Sequence, residues 1–185
     1  EPVDALTTRF VERSGLPWNK VVGLGSILDA ARLRYLLSRE TGITAENISA
    51  MVIGRHSDAM IPLAEYTKIS GVPLTQLLSK DKIEGIFGEL KRAGDLIVEM
   101  ARRANAYYGP SAVIADLARA IAWDTRAILP VSFVWQGQYG VDSVALGLPA
   151  AISRRGIERV LQPELAQKQQ KALAASAEEL RKIVE

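Results

Sequence analysis

The chain has 185 residues, 48% apolar and 24% charged, with 23 basic side chains against 21 acidic ones. That length suffices for one domain with a core, and the near-balance of charge leaves no electrostatic footprint for nucleic acid or an anionic membrane. The absence of cysteine excludes a disulfide frame, a zinc–thiolate centre and a thiol nucleophile. With a single histidine as well, most transition-metal sites are disfavoured, and no metal is expected. No apolar run approaches a membrane span, and Glu1-Pro2-Val3-Asp4 has neither a basic start nor an apolar signal core. The expectation is a cytoplasmic protein that binds neither nucleic acid nor membrane.

In chain order, Ala5 to Ser14 has a helical pattern ended by Gly15 and Pro17. A chain that opens at a helix boundary reads as part of something longer. Val21-Val22-Gly23-Leu24-Gly25 invites comparison with a dinucleotide fingerprint. The third glycine of that pattern would fall where Leu28 stands, and the preceding strand is too short, so plain turn chemistry is the better reading. Leu28 to Glu40 reads as a helix closed by Thr41-Gly42, apolar on most sides and so buried on more than one face. Ile48 to Ile53 reads as a buried strand broken at Gly54, and Met60 to Ile69 as one or two antiparallel strands.

Gly71-Val72-Pro73 reads as a loop, and a long helical pattern then runs from Asp81 to Ala106, to be broken or kinked near Pro110. A second helix is expected from Ser111 to Trp123. Ala127 to Trp135 reads as a strand, Gly137-Gln138-Tyr139-Gly140 as a turn, and Val144 to Leu148 and Ala150 to Ser153 as short strands. Arg154-Arg155-Gly156 is a turn, and Pro163 opens an amphipathic last helix. Helices and antiparallel-type strands are segregated, which makes the fold class α+β, with long helices packed on antiparallel strands.

Two places carry chemistry. His56, the sole histidine, follows the break at Gly54. A side chain there either caps a strand end without chemical role or points into a cleft, where an imidazole suits proton transfer near neutral pH. Asp29 and Arg32 share one side of their helix, and Arg32 falls angularly between Leu28 and Leu36. A guanidinium in an apolar sector needs a partner. Either the two residues pair with each other, or Arg32 meets an anionic ligand while Asp29 serves another group such as the histidine.

At these residues the sequence resembles the substrate-binding domain of the lactate/malate dehydrogenase family. Leu28-Asp29-Ala30-Ala31-Arg32-Leu33-Arg34 resembles that family's L-D-S-A-R-F-R, and Gly54-Arg55-His56-Ser57-Asp58 its G-[GE]-H-G-[DS]. The 27-residue separation of Asp29 and His56 matches as well. Glu1-Pro2-Val3-Asp4 resembles the N-P-V-D of the domain junction, and Gly137-Gln138-Tyr139-Gly140 is similar to the family's G-E-Y-G turn. Asn105-Ala106-Tyr107-Tyr108-Gly109-Pro110 looks like the S-A-Y-Y-A-P of malate dehydrogenases of the lactate-dehydrogenase type.

The resemblance implies the lactate/malate dehydrogenase C-terminal fold, with a helix kinked near Pro110. It implies that Arg32 clamps a substrate carboxylate, that His56 moves the hydroxyl proton, and that Asp29 orients the ring. It makes Ala106 a candidate substrate-lining residue and Pro110 a candidate cofactor-lining residue, with helix-kink packing as the alternative for both. Residues 1–185 would be the catalytic, substrate-binding domain, the N-terminal dinucleotide-binding domain lying outside this chain. The implied activity is NAD- or NADP-dependent interconversion of malate and oxaloacetate, a small 2-hydroxy and 2-oxo dicarboxylate pair, inactive in this fragment alone. The alternatives are a lactate or other 2-hydroxy-acid dehydrogenase, and a non-catalytic assembly domain of the same fold. A homo-oligomer, dimer or tetramer, is expected.

Three positions depart from the family pattern. Glu1 stands where the family has a substrate-contacting asparagine, and a carboxylate there would repel an anionic substrate. Ser57 replaces a glycine and adds strain if the position needs a positive φ. Arg55 replaces glycine or glutamate, either as a surface charge or as added positive potential near the substrate.

Overall fold

The computed structural model describes residues 3–100 and 107–184, the side chains of 95–100 excepted. The chain runs α1 (Val3–Ser14), α2 (Gly25–Thr41), β1 (Ile48–Ser49), β2 (Val52–Ile53), β3 (Ile61–Pro62), β4 (Lys68–Ile69), β5 (Val72–Pro73), α3 (Leu74–Leu77), α4 (Lys80–Met100), α5 (Tyr108–Ala122), β6 (Ala127–Gln136), β7 (Asp142–Ser153), β8 (Gly156–Val160) and α6 (Gln167–Val184). All strand pairs are antiparallel and the fold is α+β.

The scaffold is the sheet β6-β7-β8. Phe133, Trp135, Leu146 and Leu148 are fully buried on it, and the Trp135 indole N–H donates to the Leu146 carbonyl at 2.8 Å. Where two separate short strands are expected, β7 is one continuous strand through Pro149. Pro149 lies opposite Pro130 of β6, so two residues without N–H donors face each other where the ladder asks for none. The Pro149 carbonyl still accepts from the Leu161 N–H at 2.8 Å. The strand β8, absent from the sequence reading, extends the sheet through the tight turn at Gly156.

Helix α2 starts a turn earlier than its apolar pattern indicates and ends in a left-handed Gly42, φ 71°. It packs between β6, α4 and α5, burying Leu28, Ala30, Leu33, Leu36 and Leu37 and leaving Tyr35 exposed. Its nearly all-round apolarity is therefore largely satisfied within the chain. The expected strand Ile48–Ile53 is two strands in different sheets: β1 pairs with β4, and β2 with β3. Val72-Pro73, expected as loop, closes the hairpin with β4.

Pro110 sits in the first turn of α5, where its missing N–H has no helical acceptor to satisfy. The last helix opens at Gln167, not Pro163. The Tyr139 hydroxyl donates to the Pro163 carbonyl at 2.5 Å and the Tyr66 hydroxyl to the Glu164 carbonyl at 3.1 Å, which holds 163–166 out of the helix.

Candidate functional site

The segment carrying His56 is tied down before its side chain is considered. Gly54 and Gly147 exchange both backbone hydrogen bonds at 2.9 Å, fixing the segment to mid-β7. Gly54 has φ 86°, which favours glycine. Gly147 is glycine because a Cβ there would collide with the Ser26 hydroxyl and lie 3.0 Å from the Gly54 carbonyl. The Arg55 guanidinium pairs with Glu179 of α6 at 3.1 Å, so it is engaged on the surface. Ser57 is not among the residues with positive φ. Its hydroxyl accepts from the Ala59 N–H at 3.1 Å, so serine fits the turn without the anticipated strain.

Asp29, fully buried on α2, meets His56 across this junction, its Oδ2 2.7 Å from the imidazole Nδ1. A carboxylate acceptor requires that Nδ1 carry the hydrogen. Burial pulls the histidine pKa down, but the Asp29 hydrogen bond and charge, with Asp4 adding to them, outweigh it and hold it above 6.5. The Arg32 cation opposes this shift.

Arg32 Nη1 lies 3.5 Å from Asp29 Oδ1, close enough for attraction but long for a hydrogen bond. Asp29 Oδ1 and Arg32 Nε, both buried, have no hydrogen-bond partner among the described residues. The two possibilities left open by the sequence thus resolve unequally. Asp29 hydrogen-bonds the histidine, and Arg32 keeps donor capacity. Gly94 of α4 runs beside the guanidinium, a Cβ there being 3.7 Å from Nη1. Such a set can bind a carboxylate and exchange a proton at one adjacent position.

The other expected site residues lie at the edge of this cluster or outside the described residues. Glu1 and Ala106 are outside the described residues. Pro110 follows Gly109, where a Cβ would come within 3.3 Å of Leu28 Cδ1, so this turn of α5 abuts the start of α2 beside Asp29. The glycine at 23 serves packing, whereas a Cβ at Gly25 would make only ordinary contacts, 3.5 Å or more from its neighbours. Gly23 exchanges backbone hydrogen bonds with Ser132 of β6 and has Thr7 of α1 against it, a Cβ coming within 2.5 Å of the Thr7 hydroxyl. An open apolar cleft of about 480 Å³ along α1, lined by Val3, Leu6, Phe10, Val22 and others, includes neither His56, Asp29 nor Arg32. No group of three or more acidic or histidine side chains among the described residues could hold a metal ion, and no described helix is long and apolar enough to cross a membrane.

Sequence reasoning missed one participant. Asp4, which is buried, accepts from the His56 backbone N–H at 2.8 Å and from the Ser132 hydroxyl at 2.5 Å. The available signal was a lone serine inside the apolar run of β6, and Asp4 and Thr8 one helical turn apart on the same face of α1.

Fold and site together define an α+β domain that presents an imidazole hydrogen-bonded to a carboxylate beside a half-buried guanidinium. Residues 26–185 match the family described as lactate/malate dehydrogenase, alpha/beta C-terminal domain, and the chain belongs to that family. Among relatives, it is 36% identical over 183 residues to a malate dehydrogenase of Geobacillus sp. (strain WCH70), covering 99% of this chain and 59% of that protein. It is 40% identical over 177 residues to one of Chlorobium chlorochromatii, covering 96% and 57%. Among solved structures, the malate dehydrogenase from Aeropyrum pernix superposes with a TM-score of 0.94 at 34% identity, covering 100% of this chain and 61% of that one. That from Cryptosporidium parvum gives 0.95 at 34%, covering 99% and 60%. The chain thus spans about three fifths of the length of these relatives.

Proposed function

We propose that this chain is the substrate-binding and proton-transfer part of an NAD- or NADP-dependent malate dehydrogenase. The observation that carries the reading is the division of labour at Asp29. One oxygen engages His56, and the neighbouring Arg32 keeps a buried Nε with no hydrogen-bond partner among the described residues. A substrate carboxylate would complete Arg32 through two parallel hydrogen bonds, a geometry that lysine cannot supply. His56, its Nδ1 hydrogen committed to Asp29, would take the substrate hydroxyl proton at Nε2 and return it in the reverse reaction. The nicotinamide, when bound, supplies the hydride acceptor for C2. Asp29 would keep the ring in one tautomer and stabilise the imidazolium formed. Ala106 and Pro110 are proposed to line the substrate and cofactor sides of the pocket.

The dinucleotide is proposed to be held by a separate domain outside these 185 residues. Supporting this, Gly23 is occupied with packing, and the matched relatives are longer. The working protein is proposed to be a homo-oligomer, to be checked by sedimentation of the whole enzyme.

The test is kcat/KM of the whole enzyme for oxaloacetate and for pyruvate with NADH. A strong preference for oxaloacetate is expected. A preference for pyruvate would assign a lactate dehydrogenase instead. No turnover of either would leave an assembly domain and point to Glu1, where the family has asparagine. His56→Asn should lower kcat/KM by about 10²–10⁴-fold.

A further inference from the structure

The Asp4 carboxylate is not used by the proton-transfer scheme above, yet it is buried at the back of the histidine. It projects from the first turn of α1, but both of its hydrogen bonds go elsewhere. Oδ2 accepts from the His56 backbone N–H at 2.8 Å, and Oδ1 from the Ser132 hydroxyl at 2.5 Å. Ser132 is itself fully buried on β6 and exchanges two backbone hydrogen bonds with Gly23. One side chain therefore joins α1, the central sheet and the histidine main chain.

We propose that Asp4 is a second positioning carboxylate for His56, holding its main chain while Asp29 holds its ring, and adding its negative charge to the field at the imidazole. The inference rests on the reading of His56 as the proton-transfer residue. Two anchors at right places on one residue leave the ring little freedom to turn or translate: the main chain cannot withdraw and the Nδ1 edge cannot rotate. Positioning within a few tenths of an ångström is what such a proton transfer demands. Among the described residues, the charged groups that face His56 from the elements around it include Asp29 and Arg32 of α2 and Asp4 of α1. Arg55 of its own loop is paired with Glu179 of α6.

A purely structural account fits Asp4 poorly. Burial raises its pKa despite the donors from Ser132 and His56 and the nearby charges of His56 and Arg55. A group whose folded pKa is raised contributes stability at low pH that is lost as pH rises through the folded value. At neutral pH the Asp4 charge therefore costs stability.

Asparagine separates charge from geometry. Its amide oxygen can accept from the His56 N–H while its NH₂ donates to Ser132, whose hydroxyl reverses role. The experiment is an NMR titration of the imidazole in the 185-residue chain, where His56 is the only histidine and no substrate or cofactor is present. Wild type, Asp4→Asn and Asp29→Asn are compared. The histidine pKa is expected to shift down in Asp4→Asn and further down in Asp29→Asn. In Asp4→Asn the His56 amide should stay protected from exchange, whereas in Asp4→Ala it should exchange about tenfold faster or more.

An Asp4→Asn titration superimposable on wild type overturns the proposal. A flat response in Asp29→Asn alone would strike at the proposed function instead. If Asp4→Asn does not fold, the wild-type protein still decides. The His56 amide proton shift must follow the Asp4 carboxyl titration at acid pH, and independence of the two overturns the proposal.

Discussion

At the scale of single residues the site is governed by how carboxylates are partnered. Arg32→Lys keeps the charge but loses the planar fork. Removing one charge-assisted hydrogen bond, at about 1.5–3 kcal/mol, should cost about 10–150-fold in kcat/KM, seen mainly in KM for the dicarboxylate. The pH dependence follows from His56, whose pKa is held above 6.5. Under the proposed function, malate oxidation needs the neutral imidazole, so its rate should rise with pH through that folded value. Oxaloacetate reduction needs the imidazolium and should fall over the same range. Stability has the same sign: the contribution from the charged His56–Asp29 pair is fully present below 6.5, the unfolded value, and is lost as pH rises through the folded one. Urea denaturation of wild type and Asp29→Asn across pH 6–9 measures it; the difference between them should shrink toward the alkaline end, and a difference constant with pH would refute the assignment.

At the scale of elements, the site exists because three pieces of secondary structure are brought into fixed relation. Strand β7 grips the His56 segment through the Gly54–Gly147 bridge. Helix α2 presents Asp29 and Arg32, and α1 supplies Asp4. Gly147→Ala should therefore act on activity as well as stability, because the added methyl meets Ser26 on one side and the Gly54 carbonyl on the other. The expected outcome is a lower kcat and a loss of about 1–3 kcal/mol, read from turnover and chemical denaturation of the same variant. Leu33→Ala, fully buried on α2 and away from Asp29's hydrogen bonds, should cost about 2–5 kcal/mol while leaving the imidazole titration unshifted.

At the scale of the whole molecule, the described chain has the groups proposed for proton transfer and anion binding, and its segment around Gly23 and Gly25 does not match a dinucleotide fingerprint. The chain by itself should bind NADH weakly or not at all. Isothermal calorimetry showing one tight site on residues 1–185 would contradict the proposed division between domains. Addition of a dicarboxylate to the isolated chain should nevertheless perturb Arg32 and His56 resonances, since α1, α2 and β7, which position them, all belong to this chain.

What could be read from the sequence was whatever depends on local pattern. The 3.6-residue periodicity places α1, α2 and the last helix, since an apolar stripe must be buried wherever the helix packs. Asp29, Arg32 and His56 were nominated by the resemblance of the segments around them, and of their 27-residue spacing, to a known family; the residue types and the spacing within one helix left their roles open. Tertiary structure alone decided the rest. Ile48–Ile53 is divided between two sheets, and β7 passes through Pro149, because partner strands and not propensity allocate the hydrogen bonds. Pro163 does not open α6, because two tyrosines from distant loops hold the residues ahead of it. Arg32 was ambiguous in sequence because spacing within one helix cannot say whether Asp29 turns to its own helix or to a histidine on another segment. Asp4 escaped notice for the same reason: its partners are Ser132 and the backbone of His56, and proximity between residues so far apart in the chain is set only when α1 docks on the sheet.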